Sequence, residues 1–227
     1  MSRNSVLEGE SQSVPEVQDT QKHILDVALR LMQTGGYHAF SYADIAAEVG
    51  ITKASIHYHY PSKAQLGHAA LRHYRAWWQA QLRALGAARQ CDAASLLRGY
   101  TRIYRDQLRD GRICLVAALS AESPLLPPEM QAELAGFYSE HEDWLSATLE
   151  AGQTAGTLQV FAPLRVQAQG LISALHGAMG LSRVQRDVYR YCAVAHLTLA
   201  GLGLPVSELE LSDPRAWEQS LETVTAQ

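Results

Sequence analysis

Four consecutive ring-bearing residues, HYHY at positions 57–60, are the side chains of this sequence best suited to bind another molecule. His57, Tyr58 and His59 combine N–H or O–H donors with flat faces, which suits them to phosphate oxygens and thymine methyl groups. A metal site is disfavoured, because histidines two positions apart point in different directions on a helix. The alternative is a set of exposed polar rings without a ligand.

The charge pattern around these rings favours a polyanionic partner. The chain has a net charge of −4, yet no Asp or Glu occurs between Val49 and Cys91. A local cationic region on an acidic molecule is typical of a surface that meets phosphate. A solvated basic surface without a partner is the alternative. The cations of this window are Lys53, Lys63, Arg72, Arg75, Arg83 and Arg89.

Short helices must position these residues. Ser41 has the character of a helix N-cap, and Gly50 that of a left-handed helix end. Thr52 caps a second short helix, which ends before Pro61. This stretch therefore has the pattern of a helix-turn-helix, and its second helix is short enough to enter a major groove.

The rest of the chain follows helical spacing, and the predicted fold class is all-α. Residues 1–19 are polar and predict a disordered N-terminal arm. Ser62 caps a helix that reaches about residue 85, and apolar periodicity predicts further helices. These cover about residues 93–108, 113–122, 128–151, 164–181 and 185–202, with a last one beginning at Asp213 and Pro214.

The stretch FSYADIAAEVGITKASIHYHYPSKAQL resembles the DNA-binding signature of the TetR/AcrR family of bacterial transcriptional regulators. The resemblance covers about residues 20–74. It implies an N-terminal three-helix DNA-binding domain over residues 20–79, which contains the helix-turn-helix at 41–60. A larger helical domain for effector binding and dimerisation would follow over residues 80–227. The family's usual Tyr-His-Tyr-Phe is replaced here by HYHY.

The resemblance also implies roles for single residues. Tyr60 occupies the family's Phe position and is expected to pack under the helix. Thr52 and Lys53 begin the recognition helix, where free backbone N–H groups favour phosphate. Lys63 resembles a phosphate clamp. The predicted DNA-binding residues are Tyr42, Thr52, Lys53, Ala54, Ser55, His57, Tyr58, His59 and Lys63.

Amphipathic rings in the middle helices predict a cavity for a small, partly polar effector. The same rings at helical spacing are also compatible with an ordinary core. Cys114 lies in RICLVAALSAE, which is similar to a segment of a TetR subgroup that senses electrophiles or oxidants; a buried inert thiol is the alternative. The predicted effector residues are Trp78, Tyr100, Tyr104, Cys114, Phe137, Tyr138, His141, Trp144 and His176.

Small residues near the C-terminus predict a close helix contact. In the family, a pair of helices in this region forms a four-helix bundle with its symmetry mate, and a helix-turn-helix of this type reads palindromic half-sites through a dimer. Packing within one protomer is the alternative. The predicted dimerisation residues are Gly170, Ala174, Gly177, Ala178, Tyr189, Cys192, Ala193, His196 and Ala200.

These features together predict a homodimeric, ligand-responsive repressor that binds double-stranded DNA. The alternative is a helical protein-binding adaptor. No nucleophile elbow, phosphate loop, zinc spacing or dinucleotide fingerprint indicates an enzyme, and we predict no metal and no cofactor. The three scattered cysteines, the polar first residues and the absence of an apolar run of membrane length predict a cytoplasmic protein without membrane contact.

Overall fold

A computed structural model of the chain describes residues 14–87 and 92–205. Within these residues every regular element is helical, which confirms the all-α fold class. A short 3-10 helix (Ser123–Leu125) precedes the seventh α-helix. The α-helices are α1 (Val14–Gly35), α2 (Tyr42–Val49), α3 (Lys53–His59), α4 (Lys63–Gly86), α5 (Ala93–Arg109), α6 (Leu115–Ser120), α7 (Pro128–Thr154), α8 (Leu164–Gln185) and α9 (Val188–Ala200).

The predicted helix caps are confirmed by their hydrogen bonds. The Ser41 hydroxyl accepts from the Ala43 N–H at 3.2 Å, and the Asp44 carboxylate accepts from the Ser41 N–H at 2.7 Å, which completes a capping box. Gly50 ends α2 with φ 75°, a conformation that glycine adopts without strain. Thr52 caps α3 by accepting from the Ser55 N–H at 3.2 Å.

The N-terminal half is built around α1, which packs on α2, α4 and α6. Ile24 of α1, Ile45 of α2 and Ile56 of α3 are fully buried and share one hydrophobic core. Arg30 on α1 also forms an ion pair with Glu48 on α2. The helix-turn-helix is therefore carried on α1 as one packed unit.

The C-terminal half surrounds α5, which packs against α7, α8 and α9. The buried Tyr191 hydroxyl of α9 donates to the Thr101 carbonyl of α5 at 2.8 Å. Helix α4 crosses from the N-terminal half into this body, because it contacts both α1 and α7. In the part of the chain that the structure describes, no helix is both long and apolar enough to cross a bilayer.

Some helix bounds differ from the predicted ones. Helix α1 begins at Val14, so residues 14–19 of the predicted arm are helical. Pro15 permits this because the first turn of a helix does not need the missing N–H. Helix α6 is shorter than predicted, since Cys114 is its N-cap residue. The remainder of the predicted arm and the helix predicted from Asp213 lie outside the described residues.

Candidate functional site

Helix α3 presents one polar side to solvent and buries the other. Thr52, Lys53 and Ala54 are exposed at its start, and Tyr58 is 80% exposed. Ile56 is fully buried beneath the helix. A short helix with this division can place its outer side chains against a groove while its inner side remains attached to the protein.

The four rings at positions 57–60 differ in burial. Tyr60, which follows α3, is buried as predicted, His59 is half-buried, and His57 and Tyr58 are exposed. The His57 ring packs on Tyr42 with centroids 4.6 Å apart, and its Nδ1 lies 3.2 Å from the Pro61 carbonyl. These contacts hold the His57 ring in one orientation and leave its outer edge for a ligand.

Two predicted DNA contacts are corrected by the structure. The Tyr42 ring is buried, and its hydroxyl donates to the Tyr60 carbonyl at 2.7 Å, so it packs under α3 instead of facing outward. The Lys63 ammonium donates to the Phe40 carbonyl at 2.5 Å and lies over the rings of Tyr37 and Phe40. Burial lowers the pKa of Lys63, whose ammonium is already bonded to the Phe40 carbonyl within the protein.

In the folded protein, not every cation between Val49 and Cys91 is available to a polyanionic ligand. Arg75 forms ion pairs with Glu133 and Glu140 of α7, which compensate its charge. Lys53 remains exposed at the start of α3. Arg72 and Arg83 are exposed along α4, and Arg89 lies outside the described residues. Lys53 is thus the lysine of the recognition helix whose ammonium is exposed to a polyanion.

The eight ring-bearing residues among the predicted effector residues form a connected cluster between α4, α5, α7 and α8. Phe137 stacks on His141 with centroids 3.8 Å apart, and Trp78 lies 4.7 Å from Tyr104. Trp144 stacks on Tyr100 at the edge of this cluster. The structure therefore brings these rings together and packs them on one another, and their role in effector binding stays a prediction.

A chain of hydrogen bonds crosses this aromatic cluster. The Tyr138 hydroxyl lies 2.9 Å from the Ser120 Oγ and 3.3 Å from the His176 Nδ1. The His176 Nε2 is 3.2 Å from the Tyr104 hydroxyl, which is 3.1 Å from that of Tyr100. The chain continues from the Tyr100 hydroxyl to the His141 Nδ1 over 2.8 Å. One end of this chain lies near the surface and the other in the core.

Desolvation keeps the titratable members of the cluster uncharged. Burial lowers the pKa of His141 to about 3 and that of His176 to about 4. Burial also raises the pKa of the Cys114 thiol to about 11, so this thiol is protonated near neutral pH. Among the described residues, no group of His, Cys, Asp and Glu is arranged to hold a metal ion.

An open cleft of about 400 Å³ lies between α7 and α8 at the outer end of the hydrogen-bond chain. Tyr138 and His176 form its inner wall, and Glu142, Gln169 and Ser173 belong to its rim. The cleft connects solvent to two of the predicted effector residues.

The predicted dimerisation residues divide between an exposed face and the protomer core. Gly170, Gly177, Tyr189 and Ala193 are exposed, and Ala174 and Ala200 are half-buried. A Cβ atom at Gly170 or Gly177 would meet open space. Ala178, Cys192 and His196 are buried within the protomer, so their assignment to an intersubunit face is corrected.

Larger apolar side chains on the same side of α8 and α9 were not predicted from the sequence. Val166, Leu181, Val184 and Leu197 are each more than half exposed. We call these residues, together with Gly170, Gly177, Tyr189 and Ala193, the α8–α9 face. Their helical spacing on α8, at positions 166, 170, 177, 181 and 184, was the signal that could have revealed it.

Comparison with known proteins assigns these features to one family. Residues 24–70 match the family model for bacterial regulatory proteins of the tetR family. A transcriptional regulator of the TetR family from Agrobacterium tumefaciens superposes with a TM-score of 0.79 and is 33% identical. That alignment covers 82% of this chain and 98% of the Agrobacterium protein. This chain belongs to the TetR family.

Two further relatives carry the helix-turn-helix. The regulator AcrR of Shigella flexneri is 43% identical over 51 residues, 22% of this chain and 24% of AcrR. The regulator RutR of Escherichia coli K12 is 29% identical over 141 residues, 60% of this chain and 64% of RutR. TetR-family members are DNA-binding transcriptional regulators and not enzymes.

Proposed function

We propose that this TetR-family protein is a homodimeric repressor that binds a palindromic operator and is released by a small-molecule effector. The exposed side of α3, formed by Thr52, Lys53, Ala54, His57 and Tyr58, is the observation that carries the proposal. A cation and polar rings around a small residue suit phosphate contact and close approach to base edges. The half-buried Ser55 and His59 lie beside this group. The protein would act in the cytoplasm, where the DNA is.

The α8–α9 face supports the dimer. Several large apolar side chains exposed on one side of a helix pair suit an interaction site, and Gly170 and Gly177 allow two helices to approach closely. A two-fold dimer would place two recognition helices about 34 Å apart in successive major grooves. We therefore propose that α8 and α9 pair with their symmetry mates.

The cleft between α7 and α8 supports effector entry. A molecule that bonds to Tyr138 or His176 would replace the first links of the hydrogen-bond chain, and the rings behind them reach Trp78 on α4. Helix α4 also packs on α1, so a shift of its rings would change the placement of the helix-turn-helix. Emptying an operator almost completely requires about 5.5 kcal/mol of differential binding.

We propose a bound effector in preference to chemical modification of Cys114. Its thiol is fully buried, and its raised pKa leaves little of the reactive thiolate. The Cys114→Ser variant should then release operator DNA in N-ethylmaleimide to the same extent as wild type. Loss of that release in the variant alone would establish Cys114 as an electrophile sensor.

Selection of bound DNA from a random pool tests the proposed function. We expect a palindromic motif, preferred over random DNA, whose affinity falls steeply as salt is raised. Titrations of that motif at several salt concentrations provide the slope. A shallow slope without preference over random DNA would favour the helical adaptor, and sedimentation of the free protein would show whether it is a dimer.

A further inference from the structure

We infer that Arg183 and Glu122 form a clasp on the C-terminal end of α1, and that this clasp determines the half-site spacing of the operator. The inference rests on the proposed function, because spacing has a meaning only for a dimer on a two-part site. The clasp consists of these two side chains and the backbone of residues 33–38. Both side chains come from the C-terminal half of the chain, whereas α1 carries the helix-turn-helix.

Arg183, which lies on helix α8, donates hydrogen bonds to the last turn of α1. Its Nη1 donates to the Gln33 carbonyl at 3.0 Å, and its Nη2 donates to the Thr34 carbonyl. The last carbonyls of a helix lack partners within that helix, and a cation is favourable beside them. The guanidinium therefore satisfies two groups that would otherwise need water.

Glu122 holds the amides that follow α1. Its carboxylate accepts from the Tyr37 N–H at 3.1 Å and from the His38 N–H at 3.3 Å, one bond for each oxygen. Gly36 makes this approach possible, because its φ is 85° and a Cβ at this position would overlap the Glu122 carboxylate. The turn after α1 is thus shaped to receive an acidic side chain.

The clasp connects the recognition helix to the α8–α9 face by a short route. Arg183 lies between Leu181 and Val184, which belong to that face. At the other end, α1 packs on α2, and Arg30 pairs with Glu48 across that contact. A change in the tilt of α8 would therefore reach the helix-turn-helix without passing through the aromatic cluster.

The geometry of the clasp requires these particular side chains. A lysine can present one ammonium to the two carbonyls, but it lacks the fixed fork of a guanidinium. A glutamine in place of Glu122 would offer one acceptor oxygen and set an N–H₂ group against a backbone N–H. R183K, R183M and E122Q should each loosen the clasp while leaving the surrounding volume nearly unchanged.

The test compares operator spacing between these variants and two controls. R109M and E129Q remove the same charges from exposed positions on α5 and α7 that lie outside the clasp and outside the α8–α9 face. Full-length proteins are offered a DNA library that carries the selected half-sites at all spacings. For wild type and controls we expect one dominant spacing. For R183M and E122Q, the preference over the neighbouring spacing should fall by roughly fivefold or more, the lower end of typical coupling between sites.

Hydrogen exchange provides a second readout. E122Q and G36A should accelerate exchange of the Tyr37 and His38 amides, and amides within α5 should keep the wild-type rate. An unchanged spacing preference in both R183K and E122Q would overturn the clasp, even if R183M failed to fold. A wild-type protein that selects no two-part motif would instead overturn the proposed function, and the clasp inference with it.

Discussion

The recognition helix and the aromatic cluster use the same side chains in opposite environments. On α3, His57 and Tyr58 are exposed to solvent. In the cluster, Tyr100, Tyr104 and His141 are almost fully buried and bond to one another. A hydroxyl or imidazole group facing water is available to a ligand, whereas a buried one is already satisfied by its neighbours.

This difference in burial separates the rings proposed to contact DNA from those proposed to respond to an effector. The outer rings can be changed with little effect on folding, because they make few contacts within the protein. The inner rings contribute to stability, and their hydrogen bonds must be exchanged before a ligand can bind among them. In the proposed mechanism, effector binding in the cluster would therefore require rearrangement of the fold, whereas DNA contact by the surface of α3 would not.

Truncating one ring in each region should give the largest contrast. Trp78→Ala removes a buried ring that contacts Tyr104, His141 and Phe137, so we expect a loss of about 3–5 kcal/mol in unfolding free energy. Tyr58→Ala should change that free energy by less than about 0.5 kcal/mol. Urea denaturation at neutral pH measures both, and equal losses would refute the contrast.

Acid should destabilise the protein through the buried imidazoles. The pKa of His141 falls from its ordinary value of 6.5 to about 3 in the folded state. Between pH 6.5 and 3, His141 therefore binds a proton in the unfolded chain but not in the folded one. The stability that is present above pH 6.5 is lost as the pH falls toward 3. His176 acts in the same direction.

The variant His141→Gln isolates this contribution. Between pH 7 and 5 the wild type should lose about 2 kcal/mol through His141 alone, and the variant should lack that part of the slope. His73→Gln, at an exposed position, is the matched control. Urea titrations at pH 7, 6 and 5 provide the slopes, and identical slopes for wild type and His141→Gln would refute the prediction.

Lys53→Ala should weaken operator binding and leave stability unchanged. The exposed ammonium at the start of α3 is proposed to meet one phosphate, so its removal should reduce the slope of log affinity against log salt by about 0.9. Affinity should fall to a similar degree for cognate and random DNA. Fluorescence anisotropy across salt concentrations measures this, with Lys22→Ala on α1 as the charge-matched control.

The smallest expected effect is the loss of one imidazole contact with DNA. The exposed His57 ring and the half-buried His59 ring can each donate an N–H group to a phosphate oxygen. His57→Gln and His59→Gln should therefore each lower operator affinity modestly at neutral pH, as measured by fluorescence anisotropy. An affinity that is identical in wild type and both variants would remove these rings from the proposed contacts.

Local features were predictable because they depend on neighbours in the chain. Ser41, Gly50 and Thr52 act as caps through contacts within a few residues, and their side-chain chemistry indicates this without further information. The all-α class and the helix-turn-helix follow from the same short-range patterns. Helix ends were less certain, as the start of α1 at Val14 demonstrates, because backbone hydrogen bonds can continue a helix past its last apolar-periodic residue.

The sequence by itself determined the family signature, the helical class and the composition of both ring clusters. Tertiary structure decided which polar groups face outward: Lys63 turns toward Phe40, and Tyr42 lies beneath α3. It also decided the contacts of Arg183 and Glu122 with α1, which join residues about 150 and 85 positions apart. Such partners cannot be inferred from spacing, because burial and hydrogen bonding between distant segments depend on how the helices pack.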